Sequence, residues 1–591
     1  MTSFPRQIKS VLSLLERKEK VQLLFLIAGS ILLGIIEVLG VSSIMPFIAV
    51  ASQPELIRTN EYLAAIYSAL NFSSDRSFLV ALGMLMLVFI IIRNAYLGFF
   101  HYAQTRFTSM RRHSLSLKLF KVYISQKYPF FLNKNSYEFV KNVINEIDHM
   151  VNGAILQIVN LITYIFQIIL LSAFLFYINP FTTLLITSAL VFVYGLIFFV
   201  IKKEVRRLGK ERYRMNTLRM RVVNEAFWGI KETKITGCEK SFVSSFTEPS
   251  KQLSKNYTKE EVIGVIPKYI LEIVAFSSIL LFIMVTIIKS EDFTQVISSI
   301  SVYAYAGYRL MPSVQSLFRA FSKFKYSMPA ATKIVQEFQN RFAERDLIED
   351  AVPRMDFSRE IGLNTVTFTY AGTTTSVLKD INLTIPVNTL VGFAGKTGSG
   401  KTTLVDIILG LLIPQEGSIL IDGTPVTSAN IRNWQQNLGY VPQSIYLSND
   451  TIASNIAFGH TGDTIDFKAV RDAAKMAQID DFIMNELPEQ YETKIGERGI
   501  RLSGGQRQRI GIARALYRNP SVLVMDEATS ALDNQTEKDV MAAIDGLSGK
   551  KTIILIAHRL STLKKCDQIF YLEKGVITRR GTYEELFADE N

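Results

Sequence analysis

The chain has 591 residues, 48% of them hydrophobic and 39 of them Phe, with a formal net charge of +12. A composition this apolar at this length excludes an ordinary soluble protein and implies membrane-spanning segments. The two cysteines, Cys238 and Cys566, imply neither a disulfide framework nor a metal site.

The apolar excess lies before about residue 325. Long apolar stretches fall near 21–51, 78–105, 151–178, 181–201, 261–288 and 294–320, each near or above the roughly 20 residues that cross a bilayer. They predict six transmembrane helices; the last two are interrupted by polar residues, a pattern that a buried soluble helix shares. Basic residues crowd the N-terminus (Arg6, Lys9, Arg17, Lys18, Lys20), the segment after the second span (Arg106, Arg111, Arg112, Lys118, Lys121) and that after the fourth (Lys202, Lys203, Arg206, Arg207, Lys210). By the positive-inside rule all three are cytoplasmic. The intervening connections are short, as at Asn179-Pro180, or carry little positive charge, as at 53–76. The net positive charge therefore reads as topology, and no nucleic-acid partner is needed to explain it. The first apolar stretch is too long for a signal core, so the N-terminus is expected to stay attached and cytoplasmic.

Ionisable residues inside spans are expensive and mark candidate sites. Here they are mostly basic: Arg93, Lys268 and Arg309, with Glu37 and Glu272 as acidic exceptions. Lys268 and Glu272 are four apart on one helical face and can neutralise each other. The others either snorkel to a headgroup layer or face a central cavity, where pairing of two chains would double them into a basic ring suited to phosphate or pyrophosphate.

The region 326–356, charge-rich between Ala343 and Pro353, reads as a linker to a soluble domain at 357–591. That domain opens with an apolar strand, Leu390–Ala394, then Gly395-Lys396-Thr397-Gly398-Ser399-Gly400-Lys401-Thr402 followed by Thr403 and an apolar helical run. This is a phosphate-binding loop in the strand-loop-helix setting it requires. Glycines let backbone N–H groups converge on phosphates, Lys401 reaches the β- and γ-phosphates, and Thr402 ligates Mg²⁺. A second apolar run, Val522–Met525, delivers Asp526, suited to holding the metal, and Glu527, suited to polarising an attacking water. His558 ends a third run and Gln443 opens a loop; locally each has a structural reading as well.

Together with Leu502-Ser503-Gly504-Gly505-Gln506, these residues resemble the nucleotide-binding domain of the ABC transporter superfamily. The resemblance makes Leu502–Gln506 the family signature, with Ser503, Gly504, Gly505 and Gln506 contacting nucleotide, Asp526-Glu527 Walker B, Ser530–Asp533 the D-loop, Gln443 the catalytic and metal-contacting glutamine of the Q-loop, His558 the switch histidine and Tyr370 the aromatic that stacks on adenine. Glu497-Arg498-Gly499 is similar to a segment found in exporters. The implied fold is a six-helix transmembrane domain (1–325) fused to an α/β P-loop ATPase, with ATP and Mg²⁺ as cofactors. In that family the signature closes over nucleotide bound by a second domain. One loop and one signature per chain thus imply a dimer, most simply a homodimer, with a heterodimer the alternative. The polar connections 106–148 and 202–260 would carry coupling helices, near 125–134 and 222–231.

The stretches Ile36–Gly40 with Met45–Ile48, and Tyr308–Ser313, resemble PglK-type flippases. That implies transport of a polyprenyl-diphosphate-linked oligosaccharide across a bacterial inner membrane, with a surface helix near Glu55–Leu70 engaging the polyprenyl tail and cavity arginines engaging pyrophosphate. The alternatives are an exporter of peptides or hydrophobic drugs, and a membrane protein gated by ATP without transport.

Overall fold

The computed structural model describes residues 4–587 apart from 44–46, 48–49, 52–53, 73, 133, 179, 290–292, 340–351, 497–498, 528–533 and 558. The chain divides into two compact units: Met1–Gln126 with Lys134–Leu347, and Lys127–Asn133 with Ile348–Asn591.

The first unit is helical. Its elements are α1 (Phe4–Leu12), α2 (Arg17–Ser42), α3 (Asp75–Ile124), a helical stretch over 136–178 that ends in α4 (Leu156–Ile178), α5 (Pro180–Trp228), α6 (Glu239–Lys289) and α7 (Phe293–Gln339). Among the described residues the expected spans fall on these helices, the first of them, 21–51, as far as Ser42. Among the described residues, Arg17–Gly40, Asp75–Ile124 and Ser136–Tyr177 are long and apolar enough to cross a membrane. With 50 residues in α3 and 51 in α6, and a rise of 1.5 Å per residue, such helices run to roughly 75 Å and outreach a hydrocarbon layer of about 30 Å. A capping box between Ser74 and Ser77 starts α3. The last helix continues through Gln339, so 326–339 of the expected linker is helix and the units divide at Leu347.

The expected surface helix is broken in two. Leu56–Thr59 and Glu61–Ala69 are separate helices because Asn60 is extended and caps the second, its side chain accepting from the Tyr62 and Leu63 N–H groups at 3.1 and 3.3 Å. Its apolar side chains also face two ways. Ile57 is fully buried with Val50 and Phe78, and Leu63 and Tyr67 pack on that cluster, whereas Tyr62, Ile66 and Leu70 are exposed.

Between the helices lies a buried polar cluster. Two π-helical segments, Lys141–Glu146 and Val151–Ile155, precede α4, and Glu146 accepts from Arg212 at 2.7 Å and from Asn216 at 3.1 Å. Lys141 donates to Thr217 at 2.6 Å and stands over the Tyr213 ring. Close approach of α5 to α7 needs Gly209, since a Cβ there would lie 2.1 Å from the Tyr326 carbonyl oxygen. Gly209→Ala is therefore expected to destabilise the helical unit by about 1–3 kcal/mol through overpacking. Thermal unfolding in detergent checks it, and an unshifted midpoint would show that the helices separate without cost.

The second unit holds two sheets, one of order β2-β1-β4-β5 and one of order β10-β9-β3-β8-β7-β6. The strands are β1 (Glu360–Phe368), β2 (Leu378–Pro386), β3 (Leu390–Ala394), β4 (Glu416–Ile421), β5 (Thr424–Pro425), β6 (Leu438–Val441), β7 (Val522–Asp526), β8 (Thr552–Ile556), β9 (Gln568–Glu573) and β10 (Val576–Gly581). In the larger sheet β3 pairs in parallel with β8 and β9, and β7 with β6 and β8. All five residues of each of β3, β7 and β8 are buried, as their unbroken apolar runs require. The segment Lys127–Asn133, inside the expected coupling region 125–134, belongs to this unit and holds a single helical turn, Pro129–Leu132. At the second expected coupling region, α5 ends at Trp228 and a new helix runs from Ile230 to Thr236, leaving Phe227 and Trp228 exposed.

Candidate nucleotide site

The larger sheet presents the carboxyl ends of β3 and β7 side by side with β8 between them, the edge at which parallel α/β sheets bind ligands. From β3 the chain enters the loop through Gly395, Gly398 and Gly400, at φ of 141°, 79° and 106°. Such angles suit glycine alone. A Cβ on Gly395 would lie 2.2 Å from the Leu572 carbonyl oxygen, so the loop also needs the space. Helix α8 (Lys401–Ile408) starts directly after Gly400 and turns its first N–H groups toward the loop.

Lys401 is buried and folds back on the loop, its Nζ donating to the carbonyl oxygens of Gly395 at 2.7 Å and Lys396 at 3.1 Å. Burial lowers its pKa, while Glu527 and Asp526 raise it. Lys396, Thr397, Gly398 and Thr402 are exposed. The Ser399 hydroxyl is buried without a hydrogen-bond partner among the described residues. A loop of open glycines, a hydroxyl with no hydrogen-bond partner among the described residues and an ammonium folded onto loop carbonyls fit a polyphosphate. Tyr370 meets Thr403, their hydroxyls 3.0 Å apart, and packs edge-on to Phe368.

At the end of β7, Asp526 is buried and Glu527 follows at φ 48°, a left-handed conformation costly for a non-glycine residue. Gln443 donates to the Glu527 carboxylate at 2.6 Å. The structure thus joins two residues separated by 84 positions. Helix α9 (Gly504–Leu516) is opened by a capping box in which Ser503 Oγ accepts from the Gln506 N–H at 3.2 Å and the Gln506 side chain accepts from the Ser503 N–H at 2.8 Å. Gly505 is buried and Ser503 and Gly504 are exposed. Among the described residues no hydrogen bond links Ser503–Gln506 to the phosphate loop. His558, Glu497, Arg498 and the segment Ser530–Asp533 lie outside the described residues.

Two site residues were not legible in the motifs. Arg514 donates to the carbonyls of Asn455 at 2.7 Å and Tyr446 at 2.6 Å, pinning α9 to the loop after Gln443. Its only sequence signal is a basic residue on the buried face of an apolar helix. Asp406 is buried in α8, and desolvation together with the Asp526 charge raises its pKa from 3.8 to about 6. The folded state therefore binds more protons than the unfolded one between about pH 4 and 6, and stability is lost as pH rises through that window. Asp406→Asn is expected to raise the thermal midpoint of the nucleotide-free protein at pH 8 and to change it little at pH 4. Equal shifts at both pH values would refute a buried, strained carboxylate.

A glycine-cradled loop at the end of a central parallel strand, with buried acids beside it, defines a P-loop nucleotide hydrolase. The ABC transporter family model matches residues 378–530 and the ABC transporter transmembrane region matches 23–310; the chain belongs to the ABC transporter family. The ATP-dependent lipid A-core flippase of Saccharophagus degradans is 33% identical over 486 residues, covering 81% of this chain and 79% of the relative. That of Cupriavidus pinatubonensis is 31% identical over 464 residues, covering 78% and 77%. A bacterial Atm1-family ABC exporter with ATP bound shares the fold, with a TM-score of 0.76 at 22% identity over 97% of this chain and 96% of that one. The chain is an exporter-type half-transporter: a helical transmembrane domain fused to an α/β ATPase whose hydrolysis of ATP is coupled to transport.

Of the basic residues expected to meet a substrate, Arg93 forms an ion pair with Glu37, a partnership between α3 and α2 that sequence separation hid. Lys268 lies 3.8 Å from Glu272, as the four-residue spacing predicts. The Arg309 side chain lies outside the described residues, although its backbone is helical.

Proposed function

We propose that the chain acts as a homodimer in a bacterial inner membrane and flips a phosphate-bearing glycolipid, specifically a polyprenyl-diphosphate-linked oligosaccharide, from the cytoplasmic to the outer leaflet. In each ATP site Lys401 and the N–H groups of 395–403 hold the phosphates, and Tyr370 faces adenine. Thr402, Asp526 and Gln443 hold Mg²⁺, which supplies charge neutralisation at the phosphates. Glu527, hydrogen-bonded by Gln443, polarises the attacking water, with His558 as its neighbour in the site. Ser503–Gln506 of a second copy completes the site, and the exposed Phe227 and Trp228 suit docking on that copy. Its partners are thus a second copy, the glycolipid and membrane lipids, with no nucleic acid.

The observation that carries the substrate reading is the divided surface segment: Ile57, Leu63 and Tyr67 anchor it while Tyr62, Ile66 and Leu70 stay exposed, as a platform for a polyprenyl tail requires. The ion pair of Arg93 with Glu37 shifts the weight of pyrophosphate binding to Arg309, because Arg93 already has a carboxylate to satisfy. A second reading, a lipid A-core flippase, is favoured by the names of the relatives; both lipids carry phosphate on a glycan.

The deciding experiment is reconstitution in liposomes, measuring ATPase stimulation and leaflet transfer with each glycolipid. Transfer of the polyprenyl-diphosphate lipid is expected. Transfer of lipid A-core alone would replace it with the second reading, and stimulation by peptides or hydrophobic drugs alone would refute both. Arg309→Ala should abolish transfer with basal ATP hydrolysis retained, and Arg309→Lys should rescue part of it, because lysine lacks the paired donors of guanidinium. Transfer at the wild-type rate in Arg309→Ala would remove that residue from the substrate path.

A further inference from the structure

The Gln443 side chain is exposed and donates to the Glu527 carboxylate at 2.6 Å. An exposed glutamine has many rotamers, so its aim depends on the backbone that carries it. β6 ends at Val441, and the loop that follows is held against α9. Arg514 Nη1 donates to the Tyr446 carbonyl oxygen at 2.6 Å, Nε to the Asn455 carbonyl oxygen at 2.7 Å and Nη2 to Asn455 Oδ1 at 3.1 Å. Asn455, 0% exposed in the short helix Ile452–Ile456, accepts from the Ser448 N–H at 2.9 Å and donates to the carbonyl oxygens of Ser448 and Thr451 at 3.1 and 3.0 Å. One turn before Arg514, Gly511 admits the Ile445 side chain: a Cβ there would lie 2.2 Å from Ile445 Cδ1. Ile445, Tyr446 and Ser448 are thus fixed to one face of α9, with Ser444 alone between this clasp and Gln443.

A clasp of this kind is costly for the fold. Burial pushes the Arg514 pKa down to about 10. Its guanidinium meets carbonyl and amide oxygens and the Phe458 ring, 4.7 Å away, and forms no ion pair with a carboxylate among the described residues. An apolar residue would pack α9 without that desolvation. What the guanidinium adds is several donors in one plane, which fix where their acceptors lie as a hydrophobic contact does not.

We propose that Arg514, together with Asn455, is a positioning residue for ATP hydrolysis: the clasp sets the loop backbone so that the Gln443 side chain reaches Glu527. This role rests on the reading above, in which Glu527 polarises the attacking water and Gln443 is hydrogen-bonded to it. A misplacement of about 1 Å, even one caused far from the chemistry, costs on the order of 10²-fold in rate, so the effect falls on turnover. ATP capture belongs to Lys401 and the phosphate loop between β3 and α8, and affinity is expected to stay the same.

The test is ATPase kinetics of the full-length protein in liposomes for Arg514→Lys, Gln443→Ala and the double variant, with the thermal midpoint of each. Lysine keeps the charge but offers a single ammonium to acceptors that a planar fork spans. Arg514→Lys is expected to lower kcat on the order of tenfold, with KM for ATP within about twofold of the wild type. In the Gln443→Ala background the same substitution should lower kcat no further, because its effect passes through Gln443; a merely structural role would lower it in both backgrounds. Gly511→Ala, which displaces Ile445 and leaves Arg514 in place, should repeat both results, and it decides the matter should Arg514→Lys fail to fold. If Gln443→Ala is slow, then wild-type kcat in Arg514→Lys, an effect on KM alone, or a further fall in the double variant would overturn the positioning role and leave the reading of Gln443 standing. Wild-type turnover in Gln443→Ala would instead refute the reading of Gln443 itself, and the role of Arg514 with it.

Discussion

Glu527→Gln is expected to reduce ATP turnover on the order of 10²-fold or more while leaving ATP binding intact. The amide keeps the size of the side chain and its place beside Gln443, which now donates to it at 2.6 Å, but it cannot accept a proton from water. Retained binding follows because the phosphate loop and Lys401 are separate from the substituted group, and product formation is what fails. A closed, nucleotide-loaded dimer should therefore accumulate, visible as retained ATP on gel filtration. Near-normal turnover would move the base role elsewhere. Unlike Glu527→Gln, Lys401→Ala should lose nucleotide binding itself, so the two variants separate chemistry from capture.

The second large effect concerns the fold. Glu146→Ala leaves Arg212 without its carboxylate in a site where the two side chains are 0% and 1% exposed. Removing one partner of a buried pair costs about 3–5 kcal/mol, because a charge is left uncompensated in a poor solvent. The exposed pair Arg207–Glu204, whose side chains are 62% and 40% exposed, provides the control: Glu204→Ala should cost at most about 1 kcal/mol. Replacing both Glu146 and Arg212 with apolar residues of similar size should recover much of the loss. Thermal unfolding in detergent measures all three. If Glu146→Ala costs no more than Glu204→Ala, the buried pair contributes nothing to stability and the π-helical geometry around it needs another explanation.

The nucleotide site was readable because its chemistry is local. Phosphate capture needs successive backbone N–H groups, hence glycines at fixed spacing, and a metal-holding acid needs the end of a buried strand, hence an apolar run before Asp526. The same locality explains the Lys268–Glu272 contact, four residues apart on one helix. Where the sequence carries less is at breaks and at distant pairs. Asn60 splits a stripe that periodicity reads as one helix, because a side-chain cap competes with helix continuation.

By itself, then, the amino-acid order determined the class of protein: six apolar stretches, a charge asymmetry and a phosphate loop are each properties of short contiguous segments, and each follows from hydropathy or backbone geometry alone. Only the tertiary structure decided which charges are spent. Arg93 meets Glu37 across two helices, and Arg212 meets Glu146 inside a bundle. Those partnerships join positions far apart in the chain, set by which helix faces pack together, and packing is a property of the whole fold that no local pattern encodes.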